Sequence, residues 1–204
     1  MTRFIAPLAA FAAAALVGGT WFLTQNTGGD QFAQCRTSAV AGGASIGGPF
    51  ELLNAKGETV TDKDVITEPT MIYFGYTFCP DVCPLDTARN AEATDFLAED
   101  GQSMTPVFIS VDPNRDTPEV VGEYASYIHE KMVGLTGSET QVKAASQAYR
   151  TYYNAHPAED EYYLVDHSTF SYLVLPEHGF VEFFRRDVTA DEMANRAGCF
   201  IENA

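Results

Sequence analysis

The residues best placed to do chemistry are Cys79 and Cys83, in the segment Cys79-Pro80-Asp81-Val82-Cys83-Pro84. A spacing of i to i+4 puts both on one face if the segment turns into a helix, so the two sulfurs can converge on one point. Backbone N–H groups at a helix start stabilise a thiolate and lower its pKa. Two thiolates form a soft ligand pair suited to copper(I), or to zinc if two further ligands arrive. The same pair, one residue longer than a Cys-x2-Cys motif, could be a redox dithiol. With Cys35 and Cys199 it also makes an even set of four cysteines, which in an oxidising compartment suggests structural bridges. Cysteine spacing alone leaves redox, metal and structural roles open.

A histidine would tilt that balance towards metal. Of His129, His156, His167 and His178, the last two of which fall near turn signals, His167 has the most informative setting. It lies in Val165-Asp166-His167-Ser168, in a loop expected between two strands, where a sheet could carry it to the cysteines. The other three read as solvent-facing residues near a helix end, before a proline and in a turn.

The elements that must position these residues follow from hydrophobic patterning. Apolar runs at 71–76 and 106–111 predict buried strands, and 132–135, 162–165, 170–175 and 180–184 predict further strands. Helices are expected from about Pro84 to Ala98, from Thr117-Pro118 to about Glu130, from Ser138 to about Asn154, and from Thr189 to Gly198. A strand at 47–53 turning at 54–57 precedes them. The order β-α-β-α-β-α-β-β-α predicts an α/β fold with a mixed sheet flanked by helices, in a thioredoxin-like arrangement. The cysteine segment then lies between a buried strand and a helix, where an α/β sheet displays its reactive groups.

Residues 4–23 are twenty uncharged residues, close in length to a bilayer core of about 30 Å at ~1.5 Å per residue. The bulky Trp21-Phe22-Leu23 close the run where a signal peptidase would want small residues, so one N-terminal transmembrane helix is expected rather than a cleaved leader. Cys35 has no lipid-attachment signature before it. Arg3 is the only basic residue before Arg36 and places the amino terminus on the cytoplasmic side. The expected organisation is a cytoplasmic tip and anchor at 1–25, a Gly-rich tether at 26–43 and one folded domain at 44–204. That domain would sit on the periplasmic face of a bacterial cytoplasmic (inner) membrane. With 28 acidic against 12 basic residues, a net charge of −16 and a pI near 4.4, nucleic-acid binding is excluded and a basic partner face favoured.

Three separated blocks, in order, carry a family resemblance: Gly75-Tyr76-Thr77-Phe78-Cys79-Pro80-Asp81-Val82-Cys83-Pro84, Ile109-Ser110-Val111-Asp112-Pro113-Asn114-Arg115-Asp116-Thr117-Pro118, and Val165-Asp166-His167-Ser168. Over roughly residues 46–186 the chain resembles the Sco/SenC family. The resemblance implies a thioredoxin-like domain that handles copper, as Cu(I) or Cu(II), during assembly of the dinuclear copper centre of cytochrome c oxidase subunit II. It places the metal ligands at Cys79, Cys83 and His167, with Asp166 and Asp112 as candidate residues behind them. Asp166 would orient His167 or cap its loop; Asp112 would approach the site loop or cap the turn 113–116. Partners beyond subunit II would be another periplasmic copper donor or a thiol reductant.

Cys35 and Cys199 fall outside that pattern and flank the domain, where this topology can bring its ends together. A Cys35–Cys199 bridge is expected to staple the tether base to the last helix; the competing role is resolving an oxidised Cys79 or Cys83. Thiol–disulfide reduction of the subunit II cysteines, redox or copper sensing, and peroxide turnover stand as other functions of the same cysteine pair.

Overall fold

The computed structural model describes residues 31–36, 46–156 and 162–204. Cys35–Ala204 form one compact unit. The apolar run 4–23 and most of the tether lie outside the described residues. Among the described residues no helix is long and apolar enough to cross a membrane.

In chain order the elements are β1 (Glu51–Leu53), β2 (Thr59–Thr61), α1 (Asp62–Val65), β3 (Thr70–Gly75), α2 (Val82–Glu99), β4 (Thr105–Ser110), α3 (Pro118–Ile128) and β5 (Val133–Leu135). Then follow α4 (Glu139–Ala148), β6 (Tyr153–Ala155), β7 (Val165–His167), β8 (Ser171–Leu175), β9 (Gly179–Phe184) and α5 (Ala190–Glu202). Five strands make one mixed sheet in the order β5-β4-β3-β8-β9. β3, β4 and β5 run parallel through helical crossovers; β8 returns antiparallel to β3 and turns into β9.

The central strands are apolar without alternation because both faces of the sheet are covered. All six residues of β3 are buried. Tyr73 and its register partner Phe108 face one side, where Tyr73 meets Asp86 of α2 and Phe108 packs on Tyr124 of α3. Phe74 and Tyr172 face the other, against Tyr149 at the end of α4.

The larger differences from the sequence expectation have local reasons. α4 stops at Ala148 instead of about 154. Arg150 adopts φ 53°, its N–H bonds the Gln147 carbonyl, and the Thr151 N–H bonds the Ser146 carbonyl. That is a Schellman termination with arginine where glycine is usual, so the sequence carries no stop signal. Residues 153–155 are thereby freed to pair antiparallel with 165–167, which makes His167 the last residue of a strand rather than part of a loop. α5 runs through Gly198 to Glu202. Gly198 is a close-packing residue and not a helix stop: a Cβ there would lie 2.8 Å from Gln102 Oε1, beside Leu97 near the end of α2.

Cys35 and Cys199 are joined by a disulfide, with Cα atoms 5.6 Å apart across a sequence separation of 164. Arg36 then donates to the Val181 carbonyl, 3.0 Å away. Closing so long a loop restricts the unfolded chain more than the folded one, so Cys199→Ser is expected to cost roughly 2–5 kcal/mol. Denaturant unfolding without reductant measures this; an unchanged midpoint would show that the bridge adds no stability.

Candidate metal centre

Cys79 lies in the loop after β3, and Cys83 is the second residue of α2. The helix starts at Val82, two residues before the expected Pro84. Proline is tolerated there because the first four N–H groups of a helix have no partner inside it. Asp81, the N-cap residue, makes no side-chain cap. Instead the orphan N–H of Cys83 donates to Cys79 Sγ at 3.4 Å. A sulfur occupies the place usually taken by a capping oxygen.

Cys83 is fully buried and needs room beneath the loop. Gly75 provides it: a Cβ at that position would lie 2.9 Å from Cys83 Sγ and 2.8 Å from the Tyr73 ring. His167 arrives from a separate two-stranded sheet, β6–β7, and places Nε2 3.2 Å from Cys83 Sγ. Its Nδ1 sits 3.0 Å from the Ser168 carbonyl, which can only accept. Nδ1 therefore carries the proton and Nε2 presents its lone pair to the cysteines. The Tyr73 and Tyr76 rings meet the imidazole edge-to-face, at 6.1 and 5.7 Å between centroids. The ligand atoms of Cys79, Cys83 and His167 all lie within 4.8 Å of one another, and this is the one such group among the described residues.

The two thiols are not equivalent. Hydrogen bonding from Cys83, with the Asp81 and Cys83 backbone N–H groups adding to it, pulls the Cys79 pKa down to about 4 against the cost of burial. Burial, reinforced by the neighbouring Cys79, pushes Cys83 far up. In the metal-free reduced protein, the pair holds one thiolate, on Cys79, and one proton, on Cys83.

The candidate residues behind the ligands make other contacts. The Asp166 carboxylate is 2.6 Å from His156 Nε2, across the β6–β7 hairpin, while His167 is held through Ser168. Asp112 accepts from Arg115 Nε and from the Tyr163 hydroxyl, the latter at 2.6 Å, and its carbonyl receives the N–H groups of Arg115 and Asp116. It thus closes the turn 113–116 and reaches towards the His167 strand through Tyr163. His129 pairs with Asp95 through Nε2 at 3.1 Å.

Sequence reasoning passed over Asp116. Its buried carboxylate accepts from the Thr77 N–H at 3.0 Å, from the Thr77 hydroxyl and from the Ser110 hydroxyl. It pins the strand exit two residues before Cys79, and burial raises its pKa. The signal was present in the block 109–118, but only the sheet shows that this turn and the cysteine loop are neighbours. Tyr73 and Tyr76, within the run expected as a buried strand, are core residues and also walls for the imidazole.

The parallel β3-α2-β4 unit, the β8–β9 hairpin and the final α5 define a thioredoxin-like α/β fold with its cysteines at the strand-to-helix junction. A family model described as SCO1/SenC matches residues 38–202, and the chain belongs to that family. It is 52% identical over 173 residues to protein SenC of Rhodobacter capsulatus, covering 85% of this chain and 78% of that one. It is 45% identical over 156 residues to the mitochondrial SCO1 homolog 1 of Arabidopsis thaliana, 76% of this chain but 47% of the relative. The chain therefore spans about half the length of that mitochondrial protein. Among solved structures, Arabidopsis thaliana ScoI with copper bound superposes with a TM-score of 0.73 at 42% identity, covering 77% of this chain and 99% of the other.

The unequal thiols give a direct test. As pH falls, the ultraviolet thiolate absorbance of the reduced, metal-free protein is expected to disappear with a midpoint near the Cys79 pKa of about 4. Cys79→Ser should abolish that signal at neutral pH. A midpoint in the ordinary cysteine range of about 8–9 would refute the polarised pair.

Proposed function

We propose that this protein is a membrane-tethered, periplasmic copper metallochaperone serving assembly of the dinuclear copper centre of cytochrome c oxidase subunit II. The observation that carries the reading is the meeting of two sulfurs and one imidazole nitrogen within 4.8 Å. Two soft sulfurs and one imidazole satisfy copper(I), which accepts low coordination, whereas a closed structural zinc site wants four ligands. The copper in the Arabidopsis ScoI relative supports the same cargo.

A three-ligand set suits a donor because an acceptor's ligands can enter on the open side. Thiolates must be deprotonated to bind, so loading displaces the Cys83 proton, and the pair must be reduced. Oxidation of Cys79 and Cys83 to a disulfide would remove two electrons and both sulfur ligands together, which couples copper loading to redox state.

The membrane tether is supported by the apolar run 4–23. Cys199 lies on the part of α5 that packs beside Leu97 and Gln102, next to the C-terminal end of α2. The cysteine pair is at the other end of that helix, with Cys83 about 21 Å from Leu97 at ~1.5 Å per residue.

The polarised Cys79–Cys83 pair also favours a second reading, reduction of the acceptor's own cysteines. A depressed thiolate attacks a disulfide and its neighbour resolves the mixed disulfide. This activity needs no histidine, so His167 separates the two.

Anaerobic copper titration of the reduced protein should give about one Cu(I) per chain, abolished by Cys79→Ala or Cys83→Ala and weakened about 10–100-fold or more by His167→Ala. Weak binding by parent and His167→Ala alike, with rapid reduction of a disulfide substrate, would replace the chaperone reading with the reductase.

A further inference from the structure

The two halves of the metal centre come from pieces of chain that the main sheet does not join. Cys79 and Cys83 belong to the β3–α2 junction, whereas His167 ends a hairpin, β6–β7, that forms a sheet of its own. Something must fix the distance between them. The Tyr76 phenol contributes through a hydrogen bond to the Val165 backbone. A more extensive link runs through Arg115, at the end of the turn that Asp112 closes.

The Arg115 guanidinium lies over three aromatic rings from both sides of that gap. It sits 3.6 Å from the centroid of Tyr163, which belongs to the segment leading into β7. It sits 4.8 Å from Phe78, the residue before Cys79, and 5.6 Å from Tyr76. Its Nε donates to the Asp112 carboxylate, and the other oxygen of that carboxylate accepts from the Tyr163 hydroxyl. Asp112 thus holds both the cation and the ring on which it stacks. The next residue, Asp116, grips Thr77 through its backbone N–H and its hydroxyl. One short turn therefore holds the cysteine loop at Thr77, through an anion, and at Phe78, through a cation, while the same cation holds the histidine segment at Tyr163.

A flat guanidinium can stack on rings and pair laterally with a carboxylate at the same time; an ammonium is a compact charge with no face. Arg115 is largely screened from water, with a side chain only 11% exposed, so its ring contacts and its ion pair are weakly screened. Phe78 is 51% exposed even though it is a large apolar side chain, and the guanidinium covers part of the surface it would otherwise leave to solvent.

We propose that Arg115 is a positioning residue for the metal centre: stacked between Phe78 and Tyr163 and locked by Asp112, it sets the distance between the Cys79–Cys83 pair and His167. Its described contacts are to Asp112 and to the rings of Tyr76, Phe78 and Tyr163, not to a ligand atom of the site. Its effect is on whether the imidazole can join two thiolates that are already together, so it acts through His167 and not on the cysteines. This rests on the reading of Cys79, Cys83 and His167 as the copper ligands.

The test uses the full chain, reduced and anaerobic, with Cu(I) as the probe. Two quantities are read: the nitrogen-15 chemical shift of His167 Nε2 on copper addition, and Cu(I) affinity by competition with a chromophoric chelator. The variants are Arg115→Met, Arg115→Lys, His167→Ala and the double variant Arg115→Met/His167→Ala. Thermal unfolding of the metal-free variants establishes that each is folded, and Tyr163→Leu, which removes the ring on the histidine side, takes the place of Arg115→Met if that variant does not fold.

Arg115→Met is expected to lose most of the copper-induced His167 shift and about 10–100-fold in affinity, the scale of residues that orient ligands. Arg115→Lys keeps the charge but not the flat face and should fall between parent and Arg115→Met. The double variant should bind no more weakly than His167→Ala alone, because both changes remove the same contribution. A full His167 shift in Arg115→Met at parental affinity would overturn the proposal. So would losses that add in the double variant, which would mean that Arg115 supports the site independently of the histidine. Absence of a copper-induced His167 shift in the parent would instead remove the ligand assignment itself, and the role of Arg115 with it.

Discussion

Three ligand atoms from two separately built pieces of chain must meet within the reach of one soft ion and still leave a side open. The rest of the structure follows from that constraint. A helix start supplies two of the atoms at i and i+4 spacing, and it supplies the N–H groups that keep one sulfur ionised. The third comes from a different element. The hairpin β6–β7 brings it from across the β3–α2 junction and holds its proton on Nδ1 through the Ser168 carbonyl.

The mixed sheet serves this arrangement from below. β3 is buried on both faces and ends at Gly75, whose missing side chain lets Cys83 Sγ lie directly over the strand. β4 ends level with it at Ser110, the register partner of Gly75, and delivers the turn 112–116 beside the cysteine loop. Two neighbouring parallel strands thus place an ionised pair, Asp112 and Arg115, and a buried carboxylate, Asp116, where they can brace the loop without touching the ligands. Cys79 is favoured as the thiolate while burial keeps the Cys83 proton in place, so the metal-free site is already half prepared for a cation. At the far end of α2, the Cys35–Cys199 bridge fixes the domain boundary independently of this chemistry.

Much of this was legible in the sequence, because the strongest signals there are chemical. Cys-x3-Cys between an apolar run and a helix, with the block around His167, pointed to the three side chains that the structure gathers within 4.8 Å and to the fold class. Apolar runs located β3, β4 and β8, whose full burial erases the alternation that would reveal a face. What could not be seen was set by contacts between distant segments. Arg150 ends α4 in a conformation that glycine usually supplies, which hid the strand 153–155 and with it the strand position of His167. Gly198 looked like a helix stop and is instead a packing residue against Gln102. Asp116 and Arg115 stood in a recognised block, yet a turn's partners are decided by which loops the sheet makes neighbours. The sequence offered Asp166 as a support for His167, and the structure pairs it with His156 across the hairpin.

The central claim is that Cys79, Cys83 and His167 together hold one Cu(I). X-ray absorption at the copper edge of the reduced, copper-loaded protein tests it most directly, since scattering distinguishes sulfur from imidazole nitrogen. The account predicts two sulfurs and one imidazole nitrogen around a single copper. A copper bound by sulfur alone, or a site with a further protein ligand closing it, would contradict it.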